Sequence, residues 1–344
     1  MAGAAFFSFF PLLSTAPSPV KKYLPALLVG GLALGLAHQG HAQQLAQYSQ
    51  YMNNNYILNP AVAGTEDYID LKFSYRTQWT GIEGAPKTYY ASVNSSLGRL
   101  HTQNKRTLHD WSRGFHALGA IVYSDVTGPT RRTGAYGSYT YNLSLTRSLR
   151  LAMGASVGMQ QYSLDGSQLR FHNVNTMVAN QASIVPDATI GLWLYNDNFY
   201  VGASAANLLG NQLDIAYEPN APIPITNNRL YRHYFGTAGV RLPLSEGISL
   251  VPSVLVKYMS PAPVSVDVNA KLKLQDIMWV GVSYRVKDAF VGNVGVNFSD
   301  FASLSYSYDA STSDISRYQN GSHEVILGLK IKKKKKVVCV DRFW

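Results

Sequence analysis

The stretch YSQYMNNNYILNPAVAGTEDYIDLKFSYRTQWTGIEGAPKTYYASVNSSL, Tyr48 to Leu97, decides the fold. From Tyr68 its residues alternate. Ile69, Leu71, Phe73 and Tyr75 point one way; Asp70, Lys72, Ser74 and Arg76 point the other. A period of two over this length is a strand with one apolar and one polar face. The apolar face ends in aromatics, Tyr75 and Trp79, while the polar face carries both signs of charge and so meets water or a wet interior. A turn-rich segment around Asn59-Pro60-Ala61 and Gly64 leads in, and a second strand, Thr88 to Leu97, follows.

The rest of the chain repeats this design. Alternation and turn signals mark fourteen strands, at about 68–79, 88–97, 116–125, 132–143, 150–162, 188–195, 199–207, 231–242, 248–258, 264–274, 277–286, 289–298, 301–309 and 322–331. In the fifth, Leu151, Met153, Ala155, Val157 and Met159 face out against Ala152, Gly154, Ser156, Gly158 and Gln160. In the tenth, Val264, Val266, Val268, Ala270 and Leu272 face Ser265, Asp267, Asn269, Lys271 and Lys273. An even strand number with both ends in the periplasm makes the connections after even strands short and those after odd strands long. Asn196–Asn198, Gln275-Asp276 and Ser299-Asp300 are short and fall on the predicted inner side; 163–187, 208–230 and 310–321 are long and fall outside. One inner connection, Gly98 to Phe115, is long and carries Arg99, Lys105, Arg106 and Arg113 against one acid, Asp110, with Trp111 among them, which suits a solvated loop or a docking surface for a periplasmic partner.

Lys21-Lys22, the apolar run Tyr23 to Ala37 and Gly40-His41-Ala42 form a secretory signal peptide cleaved after Ala42. Thereafter no apolar run reaches the roughly 18 residues of a membrane helix, so strands must carry any membrane crossing. Composition agrees: of 344 residues only 15% are charged, against about 25% in soluble domains, while 23 are Tyr and 28 Gly. The formal charge is +10; Lys21 and Lys22 lie in the signal, leaving +8 on the mature chain. Six lysines cluster at Lys330 and Lys332 to Lys336, so the charge is a tail and not a nucleic-acid-binding face. The lone Cys339 forms no internal disulfide.

The predicted architecture is an all-β transmembrane antiparallel β-barrel of about 14 strands with a cleaved N-terminal signal peptide. Residues 1–42 are signal, with 1–19 an extension ahead of it; 43–66 are a periplasmic lead-in or plug; 67–332 are the barrel; 333–344 are a basic periplasmic tail. A soluble β-sandwich would need a composition shift or linker that the chain lacks.

Catalytic patterns are weak. Gly154-Ala155-Ser156-Val157-Gly158 matches G-x-S-x-G but lies mid-strand, not at a strand-to-helix turn. His323-Glu324 lacks the second histidine of a zinc helix. No enzyme activity, metal or cofactor is expected. Inward charges read structurally: Asp70, Lys72 and Arg76 on the first strand face Glu324 and Lys330 on the last, so Arg76 or Lys72 should pair with Glu324 across the closing seam. Trp279 and Arg285 should line the same lumen.

Ser49-Gln50-Tyr51, Asn59-Pro60-Ala61, Ala63-Gly64, Arg76, Gln78-Trp79, Gly81 and Gly84-Ala85-Pro86, then GPTRRTGAY from Gly128, YSLDGSQL from Tyr162, PSVLVKY from Pro252, WVGVSYR from Trp279, LSYSYDAST from Leu304 and GSHEVILGLKI from Gly321, resemble in order the PorP/SprF family of type IX secretion outer-membrane proteins. The chain departs from that pattern in its N-terminal extension and in lacking a proline after Cys339. The resemblance implies a Bacteroidota outer-membrane barrel that assists type IX secretion, some members supporting delivery or anchoring of gliding adhesins. Its partners would be the secretion machinery, a secreted or surface-anchored cargo and outer-membrane lipid, with no nucleic acid. The motif positions Asn59, Pro60, Arg76, Gln78, Trp79, Gly84, Pro86, Trp279, Arg285, Asp309 and Glu324 are the candidate partner, lumen or structural residues. The competing readings are an outer-membrane diffusion channel or transporter, with the lead-in as plug, and a membrane-embedded hydrolase using Ser156.

Overall fold

A computed structural model describes residues 46–97, 114–146, 148–168, 180–213 and 229–331. The expected signal peptide, most of the basic Gly98 to Phe115 connection and the lysine tail with Cys339 lie outside the described residues. The strands are β1 (Ile69–Thr77), β2 (Lys87–Leu97), β3 (Phe115–Thr127), β4 (Thr130–Ser144), β5 (Arg150–Leu164), β6 (Gln181–Tyr195), β7 (Phe199–Ala206), β8 (His233–Val240), β9 (Leu242–Ser245), β10 (Ile248–Tyr258), β11 (Ser265–Leu274), β12 (Met278–Arg285), β13 (Ala289–Ser299), β14 (Ala302–Ser311) and β15 (Ser322–Ile331).

Each wall strand pairs antiparallel with its sequence neighbours, and β1 pairs with β15 from Ile69↔Ile331 to Thr77↔His323, which closes the sheet. The short β9 and β8 both pair with β10 and share one wall position, so the closed barrel has fourteen. Closure pairs every strand edge, the condition for crossing a membrane without unsatisfied backbone.

The faces are inverted relative to a soluble protein. Val157 and Val282 are 67% exposed and Phe290 is 58% exposed on the outer wall, whereas Arg76 is 2% and Glu324 0% exposed inside. The period of two that places Phe73 and Tyr75 outward therefore places Ser74 and Arg76 in the lumen.

Three boundaries differ from the sequence expectation. The first strand stops at Thr77, because Trp79 takes a left-handed φ of 51° in the following turn and does not extend the lipid-facing stripe. The sixth begins at Gln181, well before Ala188. Pro186 looks like a strand stop, but β7 pairs only with Ile190–Tyr195, so Pro186 lies where no neighbour needs its missing N–H. The expected strand at 231–242 is interrupted at Arg241; Pro243 cannot donate to the ladder, and a register shift faces it at Ile248/Ser249.

The core is the lumen filling. Residues 46–66 do not hang below the barrel but run inside it, through short helical turns at Tyr51–Asn53, Asn55–Ile57 and Pro60–Val62. Tyr56, Ala61, Val62 and Ala63 pack with Ala117, Ala152, Trp193, Tyr195, Tyr200 and Val251 of the wall. Tyr51, Met52 and Leu58 pack with Phe235 and Leu255. These apolar clusters explain why the segment leaves water: it buries side chains that would otherwise face solvent at the barrel mouth.

Candidate functional site

The plug runs the length of the lumen. Ser49 and Gln50 contact the end carrying the β1–β2 and β14–β15 connections, while Gly64 sits against Ser96 and Ala117 at the opposite end, where the short turns lie. The lead-in thus starts in the long-connection half and descends before β1 begins, which differs from a lead-in lying wholly at the short-turn end. Gly64 suits the bend at the bottom. Its φ is 71°, and a Cβ there would press on Ala117 and the Ser96 backbone.

Inward hydroxyls and amides of the wall take up the plug around its circumference. Asn54 Nδ2 donates to Ser92 Oγ (3.0 Å), Tyr56 Oη lies 2.6 Å from Ser138 Oγ, and Ser204 Oγ donates to the Leu58 carbonyl (2.6 Å). Lys271 Nζ donates to Asn53 Oδ1 (2.9 Å), and Gly64 N–H donates to Asn94 Oδ1 (3.1 Å). Asn59 is the central fastener. Its Oδ1 caps the next turn by accepting from Ala61 N–H (2.9 Å), and its Nδ2 donates to the carbonyls of Leu192 (2.9 Å) and Ala203 (3.2 Å). Thr140 Oγ1 donates to the Pro60 carbonyl (2.7 Å). Gly154 and Gly191 let the plug approach, since a Cβ on either would strike the Pro60–Ala61 backbone or Asn59 Oδ1.

Near the long-connection end the plug meets a buried ion-pair chain. Lys257 on β10 pairs with Asp267 on β11 (3.1 Å), and Asp267 with Arg285 on β12 (3.3 Å). Arg285 reaches Asp288 (3.1 Å) and Asp309 on β14 (3.6 Å). Asp309 pairs with Arg76 on β1 (2.9 Å), and Arg76 with Glu324 on β15 (3.5 Å). Ser49 is inserted at the last link. Its N–H donates to Glu324 Oε2 (2.7 Å), its Oγ donates to Asp309 Oδ2 (2.5 Å), and Arg76 Nη1 donates to that same Oγ. Gln50 Nε2 donates to the Glu324 carbonyl (3.0 Å), and Arg285 Nη1 donates to Gln47 Oε1 (3.3 Å). Charges this deep are stable only when paired and hydrogen-bonded, so wall and plug complete each other. Burial pushes the hydroxyls of Tyr48 and Tyr51 above the ordinary tyrosine range and that of Tyr56 up to about 12.

The sequence-predicted residues therefore divide. Arg76, Arg285, Asp309 and Glu324 converge on one latch, and the seam pair is Arg76 with Glu324. Lys72 instead pairs with Asp70 (2.6 Å). Asn59 and Pro60 hold the middle of the plug. Gln78, Trp79, Gly84 and Pro86 form the β1–β2 connection: Gln78 N–H donates to the Pro86 carbonyl (2.9 Å), Trp79 N–H to Ser322 Oγ (3.1 Å), and Gly128 N–H to the Gly84 carbonyl (2.8 Å). Trp279 faces the lumen elsewhere, with Lys271 Nζ 4.6 Å from its ring centre. Sequence reasoning missed Ser49, Gln47, Lys257 and Asp288 as partners; only Lys257 carried a signal, a charge at an inward strand position. Ser156 lies mid-β5, opposite Ser138 and Thr189 on its two neighbours.

Two cavities flank the plug and share Ala46, Tyr48, Leu58 and Phe235 as their partition. One, of about 620 Å³, lies toward Lys257 and Met259; the other, of about 840 Å³, lies toward Arg132 and Asp187.

No curated protein matches the chain. Among solved structures, the toluene transporter TodX of Pseudomonas putida is similar at 10% identity over 86% of this chain and 96% of its own, with a TM-score of 0.46. A Pseudomonas aeruginosa FadL homologue is similar at 11% identity over 79% of this chain and 91% of its own (TM-score 0.45). The Acinetobacter baumannii outer membrane protein Omp33 is similar at 9% identity over 77% and 99% (TM-score 0.42). The family model described as type IX secretion system membrane protein PorP/SprF matches residues 40–329, nearly the whole span of plug and wall. The closed antiparallel barrel, with its plug and seam built from the residues within that match, therefore belongs to the PorP/SprF family of type IX secretion system membrane proteins and is an outer-membrane barrel.

Proposed function

We propose that this protein is a non-enzymatic, plugged component of type IX secretion that binds secreted or surface-anchored proteins, gliding adhesins among them, and helps to deliver or anchor them. The long connections would face outward and engage cargo. The short turns, the 98–115 connection and the lysine tail would face the periplasm and the machinery. The observation that carries this reading is the plug, hydrogen-bonded to β2, β4, β6, β7, β11, β14 and β15 and buried along its length. A lumen so filled suits a docking platform better than a permanently open diffusion path.

The test is affinity capture of the tagged protein from its native outer membrane in mild detergent, followed by mass spectrometry. Recovery of a large protein with a type IX sorting domain, or of the secretion machinery, supports the reading. Recovery of the barrel alone, also after crosslinking in cells, sinks it and moves the weight to a diffusion channel or transporter. Conductance in planar bilayers is then the next measurement.

A further inference from the structure

Two motif stretches, 128–136 and 162–168, play no part in the latch or in the Asn59 anchor. They meet on one wall of the larger cavity. Arg132 on β4 is paired in register with Tyr162 on β5. Its guanidinium lies between the rings of Tyr123 (5.5 Å) and Tyr162 (5.3 Å). Gln160 Oε1 accepts from both Nε (2.9 Å) and Nη2 (2.6 Å), and Gln160 Nε2 is itself tied to Asn207 Oδ1 (3.0 Å). This is a cation fixed on one edge and two faces.

Among the described residues no carboxylate lies within ion-pair distance of Arg132, and its Nη1 has no hydrogen-bond partner. Arg76, Arg285 and Lys257, by contrast, all sit against carboxylates. The acids that face the same cavity are engaged by wall hydroxyls. Asp125 accepts from Thr88 Oγ1 (2.6 Å), and Asp187 accepts from Tyr136 Oη (3.0 Å) and is 3% exposed. The cavity floor and far side are apolar, formed by Ile57, Leu58, Ile121, Ala206 and Phe235. Pockets that hold small ligands combine an apolar lining with a few convergent polar groups, as this one does.

We propose that this cavity is a binding site for a small carboxylic acid with an apolar body, its carboxylate held by Arg132 and its body packed against Ile121, Phe235 and the plug's Ile57 and Leu58. A carboxylate accepts from the free Nη1 and neutralises a lumen guanidinium that has no carboxylate partner among the described residues. The body would lie on Leu58, in the partition between the two cavities, so occupancy and plug position share a surface.

The test uses the full-length barrel in lipid nanodiscs, with phenylbutyrate as probe and saturation-transfer NMR as readout. Phenylbutyrate should bind; its neutral amide and butyrate, which lack the charge and the body respectively, should bind at least about ten-fold more weakly, as should the acid to Arg132→Gln. Heat-modifiable electrophoretic mobility reports whether each variant is a closed barrel. Ile121→Trp, which fills the apolar side and leaves Arg132 in place, should abolish binding and serves if Arg132→Gln fails to assemble. The proposal is overturned by no wild-type binding up to about 1 mM, by equal binding of acid and amide, or by acid binding to a closed-barrel Arg132→Gln or Ile121→Trp at wild-type strength. These results do not bear on the capture experiment, so this proposal and the secretion reading fail separately.

Discussion

Replacing Arg76 by glutamine tests the latch most directly. Arg76 is 2% exposed and bridges Asp309 at 2.9 Å and Glu324 at 3.5 Å, whose side chains are 4% and 0% exposed. Removing one partner of a buried pair costs about 3–5 kcal/mol, because the charge left behind stays desolvated. Here Arg285 remains 3.6 Å from Asp309 and offsets part of that loss, so the lower end, about 3 kcal/mol, is expected. Glu324 keeps the Ser49 and Gln50 contacts but loses the one cation that pairs with it among the described residues. Adding Glu324→Gln should therefore recover part of the stability, with a coupling of roughly 0.5–3 kcal/mol. Lys273→Gln is the control: its partner Asp276 is 48% exposed, and the change should stay within about 0.5 kcal/mol. The assay is urea unfolding in lipid vesicles, followed by tryptophan fluorescence and by loss of the compact electrophoretic form. An Arg76→Gln barrel as stable as wild type, or a double variant whose losses simply add, would refute the reasoning.

Gly154→Val places side-chain carbon on the Pro60–Ala61 backbone and should displace the plug, lowering stability by about 1–3 kcal/mol and raising bilayer conductance; Gly137→Val, with nothing within 4 Å, should do neither, and equal behaviour of the two would count against a wall-seated plug. Asn59→Ala removes a cap and two side-chain hydrogen bonds to wall carbonyls, so a loss of about 1–2 kcal/mol is expected in the same urea assay, and no loss would show that Asn59 is dispensable to the plug. Tyr56 has its hydroxyl raised to about 12, so its contribution is complete below pH 10 and falls as pH rises from there through about 12. Tyrosinate absorbance should show a late-ionising class that moves to ordinary values when the plug is displaced, and a single ionisation near 10 would contradict the burial.

Some of this protein was legible in residue order alone. Alternation is a local property of the backbone, so the lipid and lumen faces follow wherever a strand forms. The expected strands at 248–258 and 322–331 match β10 and β15 at both ends, and parity alone turned Arg76, Arg285 and Glu324 inward. The seam pair follows from the same parity once β1 and β15 are taken as neighbours.

Only the closed tertiary structure decided the rest. The plug has no period that a sequence could display; its contacts are set by the radius of the lumen, which exists only after closure. Ser49 finds Glu324 across 275 residues, and nothing local in Ser49 announces it. Pro186 reads as a stop until the sheet shows that β7 does not extend along its far side. Arg132 and Gln160 are ordinary inward residues in the chain and become a fixed guanidinium beside a cavity only when β3, β4 and β5 curve around the plug. Periodicity sets which way each side chain faces, whereas closure sets which inward side chains meet, because distance across a lumen is independent of distance along the chain.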